Sequence, residues 1–212
     1  MHMNKYKKVM LIYGGISSER EISIISSEGI NDALIRNNYE VIKIDANENL
    51  ESEIKKHKPD VIFNALHGTW GEDGEVQRII ELTNVPYTNS GIKASELAMD
   101  KHKSSEKFID INMSYPKTIL SSLKHIKEKN PMNYPYVLKP RNEGSSVGVG
   151  IVKNDDDKKK YLDQNKERDE ILIQKFIEGK EIQVAIYGDN KTGSIEIDPK
   201  NEFYDYESQV LD

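Results

Sequence analysis

Cysteine is absent from the 212 residues. That removes disulfide frameworks, thiolate nucleophiles and cysteine-ligated zinc from consideration. Long apolar runs are lacking too: near the start, Val9 to Tyr13 follows basic residues and is stopped by Gly14-Gly15, too short for a secretory core. No stretch approaches a membrane span. Neither sign of charge dominates, since 36 acidic and 30 basic residues give a formal net charge of −6 and neither is gathered into a polyanion-binding block. Nucleic-acid binding and membrane association are therefore disfavoured, and a cytoplasmic protein is the default expectation. Internal repeats and low-complexity tracts are also missing. The length suits one large or two modest domains.

What is present in the first ninety or so residues is an alternation of buried strands and amphipathic helices. Val9 to Tyr13, Val41 to Ile44 and Val61 to Ala65 read as strands. Between the first two, Ile22, Ile25, Gly29, Ile30, Ala33 and Leu34 recur at helical spacing, with Ser17 and Ser18 placed to cap the start. A weaker helical stretch runs from Leu50 to His57. This β-α-β-α-β order implies a parallel sheet with helices on its faces, and ligands in such sheets sit at the carboxyl ends of strands. Gly14-Gly15 and His67-Gly68 both fall there.

The pattern changes after Pro86, with a boundary near Gly91. Ala94 to Ile109 reads as one helix and Asp156 to Leu162 as another. Tyr136 to Leu138, Val147 to Val152, Ile171 to Phe176 and Glu181 to Tyr187 read as strands. In the last of these Ile182, Val184 and Ile186 alternate with Glu181, Gln183 and Tyr187, the period of a sheet with one wet face. Turns rather than long crossovers link these strands, so the second half should be an antiparallel α+β unit.

Four clusters carry chemical promise. The segment Tyr136 to Val152, YVLKPRNEGSSVGVGIV, places Lys139 at a strand end before a loop of small residues. Such a loop lets backbone N–H groups approach phosphate oxygens beside a compact ammonium charge; a hairpin whose glycines serve only its turn is the alternative. The strand ILIQKFIEGKE, Ile171 to Glu181, could pair its backbone with an adenine edge and offer Glu181 to a ribose, or be a plain edge strand. Gly14 to Glu21 opens a helix with two glutamates, which suits an ammonium group better than an anion, and also suits a merely capped helix. Ala65 to Gly74, ALHGTWGEDG, holds a histidine at a strand end. Met99-Asp100-Lys101 would on its own be dismissed as surface.

In this order and spacing the clusters resemble the D-alanine–D-alanine ligases of the ATP-grasp superfamily. The resemblance covers essentially the whole chain: GG-S-ERE-S near the start, ALHG--GEDG, PYTNSG, MDK, LKP--EGSSVG and FYDYES from Phe203. It implies an N-terminal Rossmann-like parallel sheet followed by an ATP-grasp α+β domain lacking its C-terminal part. The implied divisions are residues 1–93, 94–178 and 179–212. It further implies that Glu19 holds the ammonium of a first D-alanine with His67 nearby, and that Ser145, bonded to that glutamate, helps position substrates. Lys101 and Lys139 would contact nucleotide phosphates beneath the loop carrying Ser145 and Ser146. Lys175, Phe176 and Ile177 match the adenine pocket and Glu181 the ribose ligand. The implied cofactors are ATP and Mg2+ or Mn2+, the implied substrate D-alanine, and the implied assembly a homodimer serving peptidoglycan synthesis.

Two departures qualify the resemblance. After Ser208 the family usually has a lysine and often a tyrosine, whereas this chain has Gln209 and Val210, which can supply neither the charge nor the phenolic hydrogen bond. This chain also stops at Asp212, before the family's residues that coordinate magnesium and stabilise the tetrahedral intermediate. The expectation is a polypeptide inactive by itself and prone to aggregate through its exposed edge. Ligases making D-alanyl-D-lactate or D-alanyl-D-serine, and a non-catalytic remnant binding ATP or D-alanine, stay open beside the leading reading.

Overall fold

A computed structural model describes residues 6–187 and 190–198. Contacts divide the chain into two units, residues 1–104 and 105–212. The first is built from β1 (Lys8–Tyr13), α1 (Arg20–Arg36), β2 (Glu40–Asp45), α2 (Leu50–His57), β3 (Val61–Asn64), α3 (Glu75–Glu81) and α4 (Ile92–Met99). Its sheet is parallel in the order β2-β1-β3, with β1 in the middle. Central placement explains why Val9, Met10, Leu11 and Ile12 are all buried in a continuous apolar run. Leu50 and Ile54 of α2 and Val76 and Ile80 of α3, each pair one turn apart, close the core over Met10, Ile12 and Ile62. Beyond β3, Tyr87 makes a one-residue parallel bridge to Ile62.

Helix α1 keeps Ile22, Ile30, Ala33 and Leu34 half-buried on its expected inner face but departs from that face at two positions. Ile25 is 69% exposed and Gly29 is exposed, while Ser23 and Ser27 are the buried positions. The reason is hydrogen bonding. The Gly14 amide donates to Ser23 Oγ at 2.8 Å, and that hydroxyl donates to the Ala65 carbonyl at 2.7 Å. A buried serine thus satisfies backbone groups at the ends of two strands, which an isoleucine could not. Neither Ser17 nor Ser18 is the N-cap; Glu19 is, without a side-chain cap bond.

The single helix expected over Ala94 to Ile109 is two. Asp100 is extended, with ψ 95°, between α4 and α5 (Lys101–Asp110). Its Oδ1 accepts from the amides of His102 and Lys103, each at 3.1 Å, so the aspartate starts a second helix as it ends the first.

The second unit holds β4 (Thr118–Ser122), α6 (Leu123–Glu128), β5 (Tyr136–Pro140), β6 (Gly150–Val152), α7 (Asp155–Gln164) and β7 (Glu170–Lys175). They form an antiparallel sheet in the order β4-β7-β5-β6. Strand β6 is shorter than expected because Val147 and Val149 spend their amides on turns, donating to Gly144 O at 3.0 Å and Ser146 O at 3.2 Å. One face of the sheet packs Tyr136, Leu138, Ile171 and Ile173 with Ile126 of α6 and Tyr161 of α7. Alternation along β5 and β7 sends Val137, Lys139, Leu172 and Gln174 to the other.

A separate hairpin joins β8 (Glu181–Tyr187) to β9 (Asn190–Ile197). The apolar positions Ile182, Val184 and Ile186, which alternation would put on a core, are exposed here; among the described strands β8 pairs with β9 alone. A parallel sheet followed by antiparallel sheets is the mixed architecture that the sequence implied.

Candidate functional site

In the first unit the loops after β1 and β3 meet over the start of α1. Ser17 Oγ donates to the His67 carbonyl at 2.7 Å and accepts from the Glu19 amide at 3.1 Å, so one hydroxyl ties the two expected substrate-binding residues to a common point. The His67 ring is held by a 3.2 Å hydrogen bond between Nε2 and Ser26 Oγ. Glu19 is buried, 7% exposed, and its carboxylate lies over Gly68: a Cβ built on that glycine would overlap Oε2 and stand 3.2 Å from Cδ. The loop around His67 is tied together by side-chain hydrogen bonds to its own backbone. Glu72 Oε2 accepts from the Gly68 amide at 2.8 Å, and Asp73 Oδ2 from the Trp70 amide at 2.7 Å. Asn64 donates to the Gly71 carbonyl at 3.1 Å and accepts from the Leu66 amide at 3.0 Å.

Beside this cluster Arg20 donates to Gly15 O at 3.0 Å and to Asp45 Oδ1 at 2.7 Å. The guanidinium hydrogen bond holds the Asp45 carboxyl below its ordinary range. A buried acid, an imidazole and a fixed loop at strand ends make a pocket chemistry suited to an ammonium group. Lys101 belongs to this unit as the first residue of α5.

In the second unit Lys139 Nζ donates to Gln174 Oε1 at 2.8 Å, and Gln174 Nε2 donates onward to Thr118 Oγ1 at 3.1 Å. The ammonium is half-buried. Burial pushes its pKa below the ordinary lysine value, and the nearby charge of Glu181 partly restores it. Lys139 and Glu181 are thereby brought into one electrostatic neighbourhood. Lys175 ends β7, exposed; Phe176 is half-buried and Ile177 is 59% exposed, the two following the strand directly. Ser145 and Ser146 lie on the β5–β6 loop with φ of 47° and 56°, both left-handed. Gln209, Val210 and the FYDYES motif lie outside the described residues.

The sequence reading missed four contributors. Gln174 and Thr118 orient Lys139; Ser23 and Asn64 fix the strand-end loops. Gln174 could have been found, because it interrupts the apolar run Ile171 to Ile173 on a buried strand. Ser23 gave no comparable signal among the three serines of α1.

Comparison with known proteins adds an independent line. The family model for the C-terminus of D-Ala-D-Ala ligase matches residues 103–212, and that for its N-terminus residues 45–90. A D-alanine–D-alanine ligase of Pelagibacter ubique is 46% identical over 96% of this chain and 68% of its own length. One from Rickettsia bellii is 41% identical over 97% of this chain and 64% of its own. The chain therefore spans about two thirds of the length of these curated relatives. Among solved structures, D-alanine–D-alanine ligase from Bacillus anthracis superposes with a TM-score of 0.81 at 33% identity, covering 95% of this chain and 68% of that one. The same enzyme complexed with ATP gives a TM-score of 0.78 at 31% identity, over 96% and 67%. By both family models and by these relatives, the chain belongs to the D-alanine–D-alanine ligase family.

Proposed function

We propose that this chain carries the first-substrate and nucleotide sites of an ATP-dependent D-alanine–D-alanine ligase. The observation that carries the reading is Lys139: a half-buried ammonium, oriented by Gln174 and set near Glu181, on the strand leading to a loop of left-handed serines. That set fits a nucleotide triphosphate. The ammonium and the loop amides of Ser145 and Ser146 suit phosphate oxygens, and Lys101 would add a second cation. Glu181 would take the ribose hydroxyls, and Lys175, Phe176 and Ile177 the adenine. Glu19 would accept the D-alanine ammonium with His67 beside it, and Ser145 would position the substrates.

In the reaction so proposed, a carboxylate oxygen of the first D-alanine attacks the γ-phosphorus of ATP, giving an acyl phosphate and ADP. The amine of the second D-alanine then attacks the acyl carbon, forming the peptide bond and releasing phosphate. This chain's part is to hold the reactants in line and to stabilise charge on the phosphoryl group. Magnesium belongs to this proposal, but among the described residues no three His, Asp or Glu side chains form a metal-holding group, so no step is assigned through a metal. The reading places the chain in cytoplasmic peptidoglycan synthesis, as a homodimer. No described helix is long and apolar enough to cross a membrane.

Calorimetric titration of the 212-residue chain with ATP and with D-alanine tests the proposal. Lys139→Met should weaken ATP by at least about tenfold, the loss of one charge-assisted contact, and leave D-alanine alone. Glu19→Gln should do the reverse. A wild-type chain that binds neither would refute the reading, and a coupled ATPase assay on the same sample decides whether binding extends to turnover.

A further inference from the structure

The loop bearing Ser145 and Ser146 is held from behind by the helix that follows it. Tyr161 on α7 donates its hydroxyl hydrogen to the Gly148 carbonyl at 2.8 Å. Just beyond the helix, Arg168 grips both oxygens of Glu143, with Nη2 to Oε2 at 3.1 Å. The arginine is itself aimed: its Nε donates to Asn165 Oδ1 at 2.9 Å, and Asn165 Nδ2 donates to the Tyr161 carbonyl at 2.9 Å. One connected set of side chains therefore anchors both ends of the segment from Glu143 to Gly148.

What is anchored is a backbone that would relax without support. Two successive non-glycine residues in the left-handed region are strained, and persist only where their surroundings over-determine them. The fit is close. A Cβ on Gly148 would stand 2.8 Å from Pro140 Cγ and 3.0 Å from Arg168 Nη2, and one on Gly150 would meet Tyr161 Cδ2 at 2.5 Å. A turn of this kind directs successive N–H groups into one concavity, the arrangement that receives phosphate oxygens. Its order is a standing cost of the fold, not a cost incurred when the ligand arrives.

We propose that Tyr161 and the Arg168–Glu143 pair are positioning residues for the nucleotide, a latch on α7 that keeps the serine loop in its phosphate-receiving shape. The inference rests on the ATP reading of Lys139 and deepens it. It also separates from a purely structural role, because a latch acting through the loop affects the phosphates and leaves the nucleoside untouched.

The test uses the 212-residue chain and three variants: Tyr161→Phe, which keeps the ring against Gly150; Arg168→Gln; and the reversed pair Arg168→Glu with Glu143→Arg. Two quantities are read, the exchange of the Val147 and Val149 amides without ligand and the dissociation constants for ATP and adenosine. Tyr161→Phe should weaken ATP about fivefold and Arg168→Gln about tenfold, the losses of a neutral and a charge-assisted bond. Adenosine should be unaffected, both amides should exchange faster, and the reversed pair should recover most of the lost affinity. Equal losses for ATP and adenosine, or faster amides with unchanged ATP affinity, overturn the proposal. Failure of the reversed pair to recover affinity counts against the ion pair. A wild-type chain that binds no ATP, with amides that still loosen in the variants, refutes the nucleotide reading and takes the positioning role with it.

Discussion

Two glycine-to-alanine changes should move stability in opposite directions, for reasons visible in their surroundings. Gly29 lies inside α1 with open space where a Cβ would go, so Gly29→Ala gives up backbone freedom in the unfolded chain without meeting a neighbour. The gain should be about 0.5–1 kcal/mol. Gly68 has φ +71°, and its added Cβ would overlap the carboxylate of buried Glu19 and approach Ser17 Cβ at 3.4 Å. A left-handed alanine costs about 1–2 kcal/mol before Glu19 moves at all. For a unit of this size, 1 kcal/mol corresponds to about 4–8 °C in melting temperature, so Gly29→Ala should melt a few degrees higher and Gly68→Ala about 10 °C lower. The second change should also cost D-alanine affinity. If the displaced carboxylate is what holds the ammonium, losing that charge-assisted bond, worth roughly 1.5–3 kcal/mol, weakens binding about 10- to 150-fold. Thermal melting followed by circular dichroism and calorimetry with D-alanine checks both parts. An unaltered melting temperature for Gly68→Ala, or a destabilised variant that binds D-alanine as before, would refute the seating of Glu19 over this glycine.

Ser23→Ala should cost about 2 kcal/mol, because it strands the Gly14 amide and the Ala65 carbonyl together in a buried site; urea denaturation measures it, and a loss under 0.5 kcal/mol would mean that both groups find other partners. The pH dependence of Lys139 has a definite sign. Its folded pKa lies below the unfolded value of 10.5, so the charged form costs stability below the folded pKa and that cost fades as pH rises toward 10.5. The stability of Lys139→Met relative to wild type should therefore decline across that alkaline window, and a difference that is flat or grows with pH would contradict the burial of the ammonium.

How much of this was legible beforehand depends on which physical signal each residue gives. Strand β1 was readable because the centre of a parallel sheet is buried on both faces and leaves a continuous apolar run, Val9 to Tyr13, while the edge strands β2 and β3 were readable from shorter apolar runs. Helix α2 was readable from its amphipathic spacing. Strand β4 was not, since its TILSS holds two apolar residues among hydroxyls and finds its place only by pairing with β7. Helix α1 misled in a more instructive way. Its isoleucines report a helical period, but which stripe turns inward is decided by the orphan amide of Gly14 and carbonyl of Ala65, backbone groups that no hydropathy pattern records. The same holds for the candidate site. Lys139, Glu19 and His67 stood out by charge and position, whereas the hydroxyls of Ser17 and Ser26 belong to a residue type abundant enough to be invisible, and Gln174 showed only as a polar break in an apolar strand. Reactive groups announce themselves by charge and by their place at strand ends. Their supports act through geometry, so they become legible only when strands distant in sequence are laid side by side, as Lys139 and Gln174 are on β5 and β7.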